Sequence, residues 1–182
     1  MKIVALGDSF TSGYGVAGGQ AWPEVLAGLT GYDVVNKGIH GDTTTGMLAR
    51  FQTDAAGERP RFLLMEGGFN DFLCGGPVGG AQANMMAMVH QAYHNQMIPV
   101  VLLQPYGNPE QFRQFWPEFI DIGRIQTQMR EYQRWLETFC RGFSVFHVDV
   151  SRTAERYIDG IHLDQEGHRK VAERIQSFFN HI

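Results

Sequence analysis

A serine and a histidine with a nearby aspartate give this sequence the residue types of a nucleophilic catalytic centre. Ser9 lies in the stretch GDSFTSG, one or two residues beyond a predicted strand, and Asp159 precedes His162 in DGIH. A serine hydroxyl needs a base to remove its proton, and a carboxylate beside one imidazole nitrogen fixes the tautomer that frees the other nitrogen for this task. The spacing predicts a triad of Ser9, His162 and Asp159. A helix-capping serine and a solvated turn before a helix would explain the same residues.

The other histidines fit the role of base less well. His40 and His168 also fall outside clear core positions, but His168 is expected inside the final helix, pointing elsewhere. The remaining four lie in helical, strand or terminal segments: His90, His94, His147 and His181. His162 is therefore the best candidate.

Donors for a developing oxyanion are found in two further loops. Asn70 offers a side-chain amide, and Gly41 lies in the glycine-flanked turn HGDTT, where a backbone N–H is free to donate. The backbone N–H of Ser9 would be a third donor. Each loop also has a simpler explanation, since Asn70 begins a common turn pair and HGDTT resembles the start of a helix capped by Asp42 or Thr43.

Alternating short apolar runs and longer helical patterns predict the elements that position these residues. Strands are predicted near Ile3 to Leu6, Asp33 to Asn36, Phe62 to Glu66, Val100 to Gln104 and Val145 to Val148. Helices are predicted at Ala21 to Leu29, Thr43 to Ala55, Ala83 to Met97, Gly123 to Phe139 and Gln165 to Phe179. Pro23 suits a first helical turn, and Gly31 and Gly142 are expected to end helices. The pattern predicts one domain over residues 1–182, an α/β protein with a five-stranded parallel sheet.

Loops at the carboxyl ends of parallel strands meet in one crevice, so the polar loops above should face each other. The glycines at 75, 76, 79 and 80 predict a flexible loop, and the connection from Pro105 to Phe119 is rich in aromatic residues. Apolar residues of these two segments are predicted to line an acyl pocket, or alternatively to close the core beneath a loop: Phe72, Leu73, Val78, Phe112, Phe115, Trp116 and Phe119.

Composition excludes several classes of protein. The net charge of −4 argues against a nucleic-acid surface, because phosphate binding needs clustered lysine and arginine. The longest apolar run is much shorter than the roughly 20 residues that span a bilayer, so no stable membrane insertion is expected. The N-terminus has no apolar segment typical of a secretory signal, which predicts a cytoplasmic protein. Cys74 and Cys140 have no partner spacing and are expected to be reduced.

Taken together, the four loops resemble the conserved blocks of the GDSL-type, or SGNH, hydrolases. GDSFTSG resembles the first block with Ser9 as nucleophile, HGDTT the second with Gly41, GGFND the third with Asn70, and DGIH the fourth with Asp159 and His162. The blocks occur in family order over nearly the entire chain. Phe10 stands where the family's name has leucine. The nearest likeness is to the small bacterial thioesterases, lysophospholipases and arylesterases.

This resemblance implies a flavodoxin-like three-layer α/β/α sandwich and hydrolysis of small carboxylic esters or thioesters through an acyl-enzyme. It implies Ser9 as nucleophile, His162 as acid and base, Asp159 as its partner, and an oxyanion hole of Ser9, Gly41 and Asn70. No metal or organic cofactor is called for. A sugar O-acetylesterase within the same family is a further reading, and the oligomeric state is left open.

Two other functions remain as alternatives. A non-catalytic flavodoxin-like protein could bind a phosphate ligand with the hydroxyls of GDSFTSG, although this gives no reason for DGIH. A metallohydrolase could use acids and histidines near the last helix as ligands, although helix geometry disfavours aiming all of them at one ion: Asp159, His162, Asp164 and His168.

Overall fold

Five parallel strands form the centre of the molecule. The computed structural model describes residues 1–153 and 156–182. The strands are β1 (Lys2–Gly7), β2 (Asp33–Gly38), β3 (Phe62–Met65), β4 (Ile98–Leu103) and β5 (Phe146–Asp149). They lie in the order β2-β1-β3-β4-β5, and every neighbouring pair is parallel. The predicted five-stranded parallel sheet is confirmed.

Helices connect the strands. The helices are α1 (Ser9–Ser12), α2 (Trp22–Thr30), α3 (Thr44–Ala49), α4 (Phe51–Asp54), α5 (Phe69–Leu73), α6 (Val78–His94), α7 (Pro109–Phe115), α8 (Ile122–Gly142) and α9 (Gln165–Phe179), and a 3-10 turn covers Ala56–Glu58. Among the described residues, no helix is long and apolar enough to cross a bilayer. Cys74 and Cys140 are both unpaired.

Alternation along the strands builds two cores, one on each face of the sheet. Val4 and Leu6 of β1 face the larger core, which α3, α5, α6 and α8 cover. Ile3 and Ala5 of the same strand face the smaller core, which α2 and α9 cover. Because successive strand side chains point to opposite faces, the apolar strands need helices on both sides. The result is the three-layer α/β/α sandwich that the sequence predicted.

Several predicted boundaries were wrong in instructive ways. The helix predicted from Thr43 to Ala55 is interrupted at Arg50, whose guanidinium binds the carbonyl oxygens of Lys37 and Gly7. Helix α6 begins at Val78, directly after Pro77, so the glycines at 79 and 80 are helical and do not form a flexible loop. The prediction that a helix stops at Gly142 is confirmed, since Gly142 is the last residue of α8.

The long connection after β4 was also predicted without regular structure, yet it contains α7. Asn108 caps this helix by accepting hydrogen bonds from two backbone N–H groups, and Pro109 occupies its first turn. This is the usual chemistry of a helix start. Helix α9, in contrast, has the predicted bounds, and its cap is Asp164.

The strand order places the candidate loops together. The chain leaves β1 towards β2 on one side and returns to β3 on the other, so the carboxyl ends of β1 and β3 flank the position where the direction of strand addition reverses. In open parallel sheets such a position forms a crevice for ligands. Ser9 follows β1 and Asn70 follows β3, which puts both at this crevice.

Candidate active site

Ser9 is the first residue of α1, a single helical turn that begins directly after β1. Asp8 caps the turn, since its Oδ1 accepts a hydrogen bond of 2.9 Å from the backbone N–H of Phe10. Gly13 ends the turn in a left-handed conformation. The sequence predicted a tight turn after β1, and this turn is helical, with its cap and its C-terminal glycine within six residues. The turn holds the Ser9 side chain at the end of the sheet.

Ser9, His162 and Asp159 form a hydrogen-bonded chain, as their spacing predicted. The Oγ of Ser9 lies 3.0 Å from Nε2 of His162. The Nδ1 of His162 lies 2.7 Å from Oδ2 of Asp159. With the ring proton on Nδ1, the imidazole donates to Asp159 and its Nε2 can accept the serine proton. The arrangement can therefore activate a hydroxyl nucleophile.

The Asp159 carboxylate is held within its own loop. Its Oδ1 accepts hydrogen bonds from the backbone N–H groups of Ile161, at 3.1 Å, and His162, at 2.9 Å. Partial burial works to raise the pKa of Asp159, but the hydrogen bonds from the His162 ring and from these N–H groups outweigh it and leave the pKa below its ordinary value. Asp159 is thus the charged partner of the imidazole.

Helix α7 supports this loop from the outside. The indole Nε1 of Trp116 donates to the carbonyl oxygen of Asp159 at 3.2 Å. The backbone N–H of Asn108 donates to the carbonyl oxygen of Gly160 at 2.7 Å. Gly160 has a φ of 96°, and a Cβ there would lie 2.4 Å from the backbone nitrogen of Phe112. Only glycine allows the loop and α7 to approach this closely.

The candidate oxyanion donors lie together near Ser9. The Nδ2 of Asn70 donates to the carbonyl oxygen of Asp42 at 2.8 Å and to Oδ2 of Asp8 at 3.2 Å. These contacts bring Asn70 beside both the Gly41 loop and the Ser9 turn. Gly41 has a φ of 74° and is exposed. Within the part of the chain that the structure describes, the backbone N–H groups of Ser9 and Gly41 have no hydrogen-bond acceptor. They are available to a ligand.

A small cavity of about 30 Å³ opens beside Ser9. Its wall combines the catalytic candidates with residues from the ends of β1, β3 and β4: Asp8, Ser9, Phe10, Phe69, Asn70, Gln104, Pro105, Gly107, Ile161 and His162. The amide oxygen of Gln104 is buried there without a hydrogen-bond partner among the described residues. The sequence had not singled out Gln104, Phe69 or Pro105.

The predicted pocket residues are mostly elsewhere, which corrects that interpretation. Phe72 is fully buried in the larger core against Tyr132. Leu73 packs against the same core, and Phe115 is exposed at the surface. Phe112 is buried and stacks on Trp116, whose ring centroid lies 6.4 Å from that of His162, and Phe112 and Trp116 line a second groove of about 460 Å³. The alternative prediction, that these apolar residues close the core, holds for Phe72 and Leu73.

An aromatic ring that the sequence analysis missed covers the imidazole of His162. The ring centroid of Tyr14 lies 4.2 Å from that of His162, and its edge meets His40 at 5.3 Å. Tyr14 follows Gly13, just beyond the nucleophile turn, and this position was the available signal. His40 itself is bound through Nδ1 to the hydroxyl of Ser12 at 2.7 Å.

The residues of the two alternative functions are engaged in other contacts. Asp164 caps α9, and the Nδ1 of His168 accepts the backbone N–H of Trp22 at 3.2 Å. No group of three or more metal-ligating side chains occurs in residues 1–153 and 156–182. Of the hydroxyls proposed to bind phosphate, Thr11 donates to Glu66 at 2.7 Å, and buried carboxyls lie behind the turn. The Thr11 hydroxyl is therefore already engaged within the protein and is not free to bind a phosphate.

Comparison with known proteins adds three findings. The family model described as the GDSL-like Lipase/Acylhydrolase family matches residues 5–170. An arylesterase from Vibrio mimicus is 28% identical over 187 residues, which cover 100% of this chain and 90% of that protein. Thioesterase 1/protease 1/lysophospholipase L1 from Escherichia coli (strain K12) is 39% identical over 75 residues, which cover 40% of this chain and 36% of that protein.

The fold has a close match among solved structures. A member of the lipolytic protein G-D-S-L family from Veillonella parvula superimposes with a TM-score of 0.85 at 19% identity, with 100% of both chains covered. At this identity the likeness concerns the fold.

Proposed function

The chain belongs to the GDSL-like lipase/acylhydrolase family and is an ester-cleaving enzyme, and on this premise we propose that Ser9 is its nucleophile, His162 its acid and base, and Asp159 the partner of His162. The observation that carries the proposal is the pair of hydrogen bonds that joins the three side chains, 3.0 Å from Ser9 to His162 and 2.7 Å from His162 to Asp159. Carboxylic esters and thioesters are the substrates of this chemistry.

Acylation follows from the geometry. The Oγ of Ser9 attacks the carbonyl carbon while Nε2 of His162 takes its proton, and the carbonyl π electrons move to oxygen. The imidazolium that forms is stabilised by the ionised Asp159. When the tetrahedral intermediate collapses, the bond to the leaving alcohol or thiol breaks and His162 returns the proton to it. A water molecule then repeats the sequence on the acyl-enzyme and releases the acid.

The proposed oxyanion hole consists of the backbone N–H groups of Ser9 and Gly41 and the amide of Asn70. The two backbone groups have no acceptor among the described residues. The amide uses both hydrogens, but its contact with Asp8 is long at 3.2 Å. That hydrogen can be shared with an oxyanion, because catalytic hydrogen bonds commonly tighten only when the substrate is bound.

The size of the cavity beside Ser9 supports a short acyl group. A water molecule needs about 10 to 15 Å³ of such space, so a cavity of about 30 Å³ holds only a few heavy atoms. Pro105, Gly107 and Ile161 line this cavity. We therefore expect acetyl to butyryl esters to react best.

Hydrolysis of p-nitrophenyl esters from acetate to palmitate tests both parts of the proposal. Ser9→Ala should stay folded and lose about 10⁴-fold or more in kcat, because the nucleophile is absent. Ser12→Ala is the matched control, since it removes a hydroxyl from the same helical turn and should retain activity. Full activity in Ser9→Ala would contradict the nucleophile assignment, and an optimum at the longest chains would contradict the short acyl group.

Removal of acetyl groups from sugars is a second candidate function. It is favoured by the same small cavity, which fits an acetyl group, and by the exposed ring of Tyr14 beside His162, since an aromatic face suits a sugar ring. Acetate release from acetylated xylose would test it. A kcat/KM above that for p-nitrophenyl acetate would support a sugar ester, and a value far below would oppose it.

A further inference from the structure

Two buried carboxyl groups lie directly behind the nucleophile turn, and the proposed mechanism uses neither. Asp8 is 2% exposed and Glu66 is 1% exposed. The Oε1 of Glu66 accepts the backbone N–H of Asp8 at 2.9 Å and the hydroxyl of Thr11 at 2.7 Å. Its Oε2 is buried and has no partner among the residues described. A carboxyl group in such a place requires an explanation.

The backbone leaves space for this carboxyl. A Cβ on Gly7 would lie 2.0 Å from Oε1 of Glu66 and 2.3 Å from Oγ1 of Thr11. Gly7 is the last residue of β1, and Glu66 follows the last residue of β3. At the ends of these two adjacent strands, the absence of a side chain on Gly7 therefore lets the side chain of Glu66 contact the start of the nucleophile turn.

Glu66 is linked to two parts of the proposed oxyanion hole, the Ser9 turn and the amide of Asn70, without touching the substrate. One link is Asp8, whose Oδ1 caps the Ser9 turn and whose Oδ2 accepts the amide of Asn70. The other link is Thr11, which lies inside the same turn. A displacement of Glu66 would thus move the Ser9 turn and loosen the orientation of Asn70.

The charges around the pair decide its protonation. Burial raises the pKa of Glu66 well above its ordinary value, and the charge of Asp8 raises it further, against the hydrogen bonds from Thr11 and Asp8. Burial also raises the pKa of Asp8 to about 6, although the Phe10 N–H and His162 lower it. Two adjacent buried carboxyls do not both ionise readily.

The other groups that face the pair add mostly negative charge. Asp42 and Asp71 act on Asp8, and the buried hydroxyl of Tyr132 lies in reach of the charge of Glu66. Arg50 donates to the carbonyl oxygen of Gly7 at 3.0 Å, but Asp42 compensates its charge at 2.8 Å. These surroundings favour one negative charge on the pair, with the proton kept by Glu66.

We propose that Glu66, as the neutral acid, is a positioning residue that fixes the Ser9 turn and, through Asp8, the amide of Asn70. The inference rests on the proposed function, because it assigns Glu66 to the support of that nucleophile and that oxyanion donor. It extends the machinery by one residue that no substrate atom reaches.

Glu66→Leu tests the positioning role at neutral pH. Leucine leaves the Asp8 N–H and the Thr11 hydroxyl without an acceptor, so kcat should fall about 10- to 100-fold while KM stays within about threefold. Glu58→Leu is the control: Glu58 is half-buried and paired with Lys2 and Lys37, and it contacts neither Asp8 nor Thr11. The control should keep its kcat.

Glu66→Gln tests the neutral form and does not depend on the leucine variant folding. Glutamine keeps the Oε1 acceptor, so kcat at neutral pH should stay within about threefold of the wild type. It cannot become a second carboxylate, so the alkaline limb of kcat/KM should move at least about one pH unit higher. A structural role alone would not move that limb.

The outcomes separate this inference from the proposed function. A folded Glu66→Leu with the wild-type kcat, or a Glu66→Gln whose alkaline limb coincides with the wild type, would overturn the role of Glu66. Activity that survives in Ser9→Ala would overturn the proposed function instead. An inactive Ser9→Ala together with the expected Glu66 profiles would support both.

Discussion

The Ser9 turn and Asn70 are held by hydrogen bonds to buried polar groups, whereas Asp159 and His162 lie on a half-buried loop that α7 contacts from outside. The first pair is fixed from below by Asp8, which binds both the Ser9 turn and the amide of Asn70. The second pair is fixed from above, where Trp116 contacts the Asp159 carbonyl. We call these the nucleophile half and the acid–base half.

The difference shows two ways of preorganising a site. Buried hydrogen bonds give the nucleophile half a single arrangement, because any unpaired group there would carry a large desolvation cost. The acid–base half depends on a contact between two surface segments, which is weaker and easier to change. Substitutions in the nucleophile half and in the acid–base half should therefore have different effects on activity and on stability.

The largest effect is expected from Asp159→Asn, which would break the acid–base half while leaving its loop intact. Asparagine keeps an oxygen for the N–H groups of Ile161 and His162, but loses the carboxylate oxygen that orients the ring. kcat should fall about 10⁴-fold because the wrong tautomer is stabilised. Steady-state kinetics check the loss, and an unchanged thermal midpoint checks the loop. A loss below tenfold would mean that Asp159 does not orient His162.

Asn70→Ala probes the nucleophile half. Removing the amide should lower kcat about 10²- to 10³-fold with little change in KM, because an oxyanion donor acts mainly in the transition state. Asn84→Ala is the control, because among the described residues the amide of Asn84 binds the hydroxyls of Thr44 and Thr45 and no group of the proposed site. Equal losses in the two variants would show a general weakening of the fold rather than a lost donor.

His168 joins the two halves, since it lies in α9 after the acid–base loop and accepts the Trp22 N–H of α2 after the nucleophile turn. Burial lowers the pKa of His168 from 6.5 to about 4. The unfolded chain then binds this proton more readily than the folded one, so stability should be lost as pH falls from 6.5 through 4, by up to about 3 kcal/mol.

His168→Asn keeps an acceptor for Trp22 and removes the titration. Urea unfolding at neutral pH and near pH 4 should show a smaller loss of the free energy of unfolding in this variant than in the wild type. His90→Asn, at an exposed position, is the control and should behave as the wild type. Parallel pH curves for the wild type and His168→Asn would rule out this proton linkage.

The smallest effect is expected from Trp116→Phe, which sharpens the comparison by loosening the acid–base half alone. Phenylalanine keeps an aromatic ring next to Phe112 and removes the indole donor to Asp159. One lost hydrogen bond is worth about 1 kcal/mol, so kcat should fall about fivefold. Phe119→Leu, at a fully solvated neighbour in the same segment, should leave kcat unchanged. A larger loss than in Asn70→Ala would reverse the ranking of the two halves.

The sequence predicted what depends on local pattern. The apolar runs Ile3 to Leu6 and Phe62 to Met65 are short, and they form adjacent strands, as was predicted for Ile3 to Leu6 and Phe62 to Glu66. The spacing of Asp159 and His162 predicted their contact, since three residues in a turn bring side chains to the same side. Helix α9 has the predicted bounds, and the structure shows Asp164 as its cap.

What the sequence did not predict depends on contacts between distant segments. The sequence predicts a loop after β3 and therefore places Phe72 in the pocket. In the helical turn α5, Phe69 and Phe72 are three residues apart and both are buried, and Phe72 packs in the core. The pairing of Glu66 with Asp8 and Thr11 spans more than fifty residues of chain, and no local pattern indicates it.

The close approach at Gly160 has a consequence for how such enzymes diversify. Because the segment from Asn108 to Phe112 lies directly against this glycine, the connection after β4 and the loop that carries His162 cannot change independently. An insertion in one would need a compensating change in the other. For protein engineering, the two segments form one exchangeable module, and a graft that transfers only the first should lose the histidine's position along with any new substrate range.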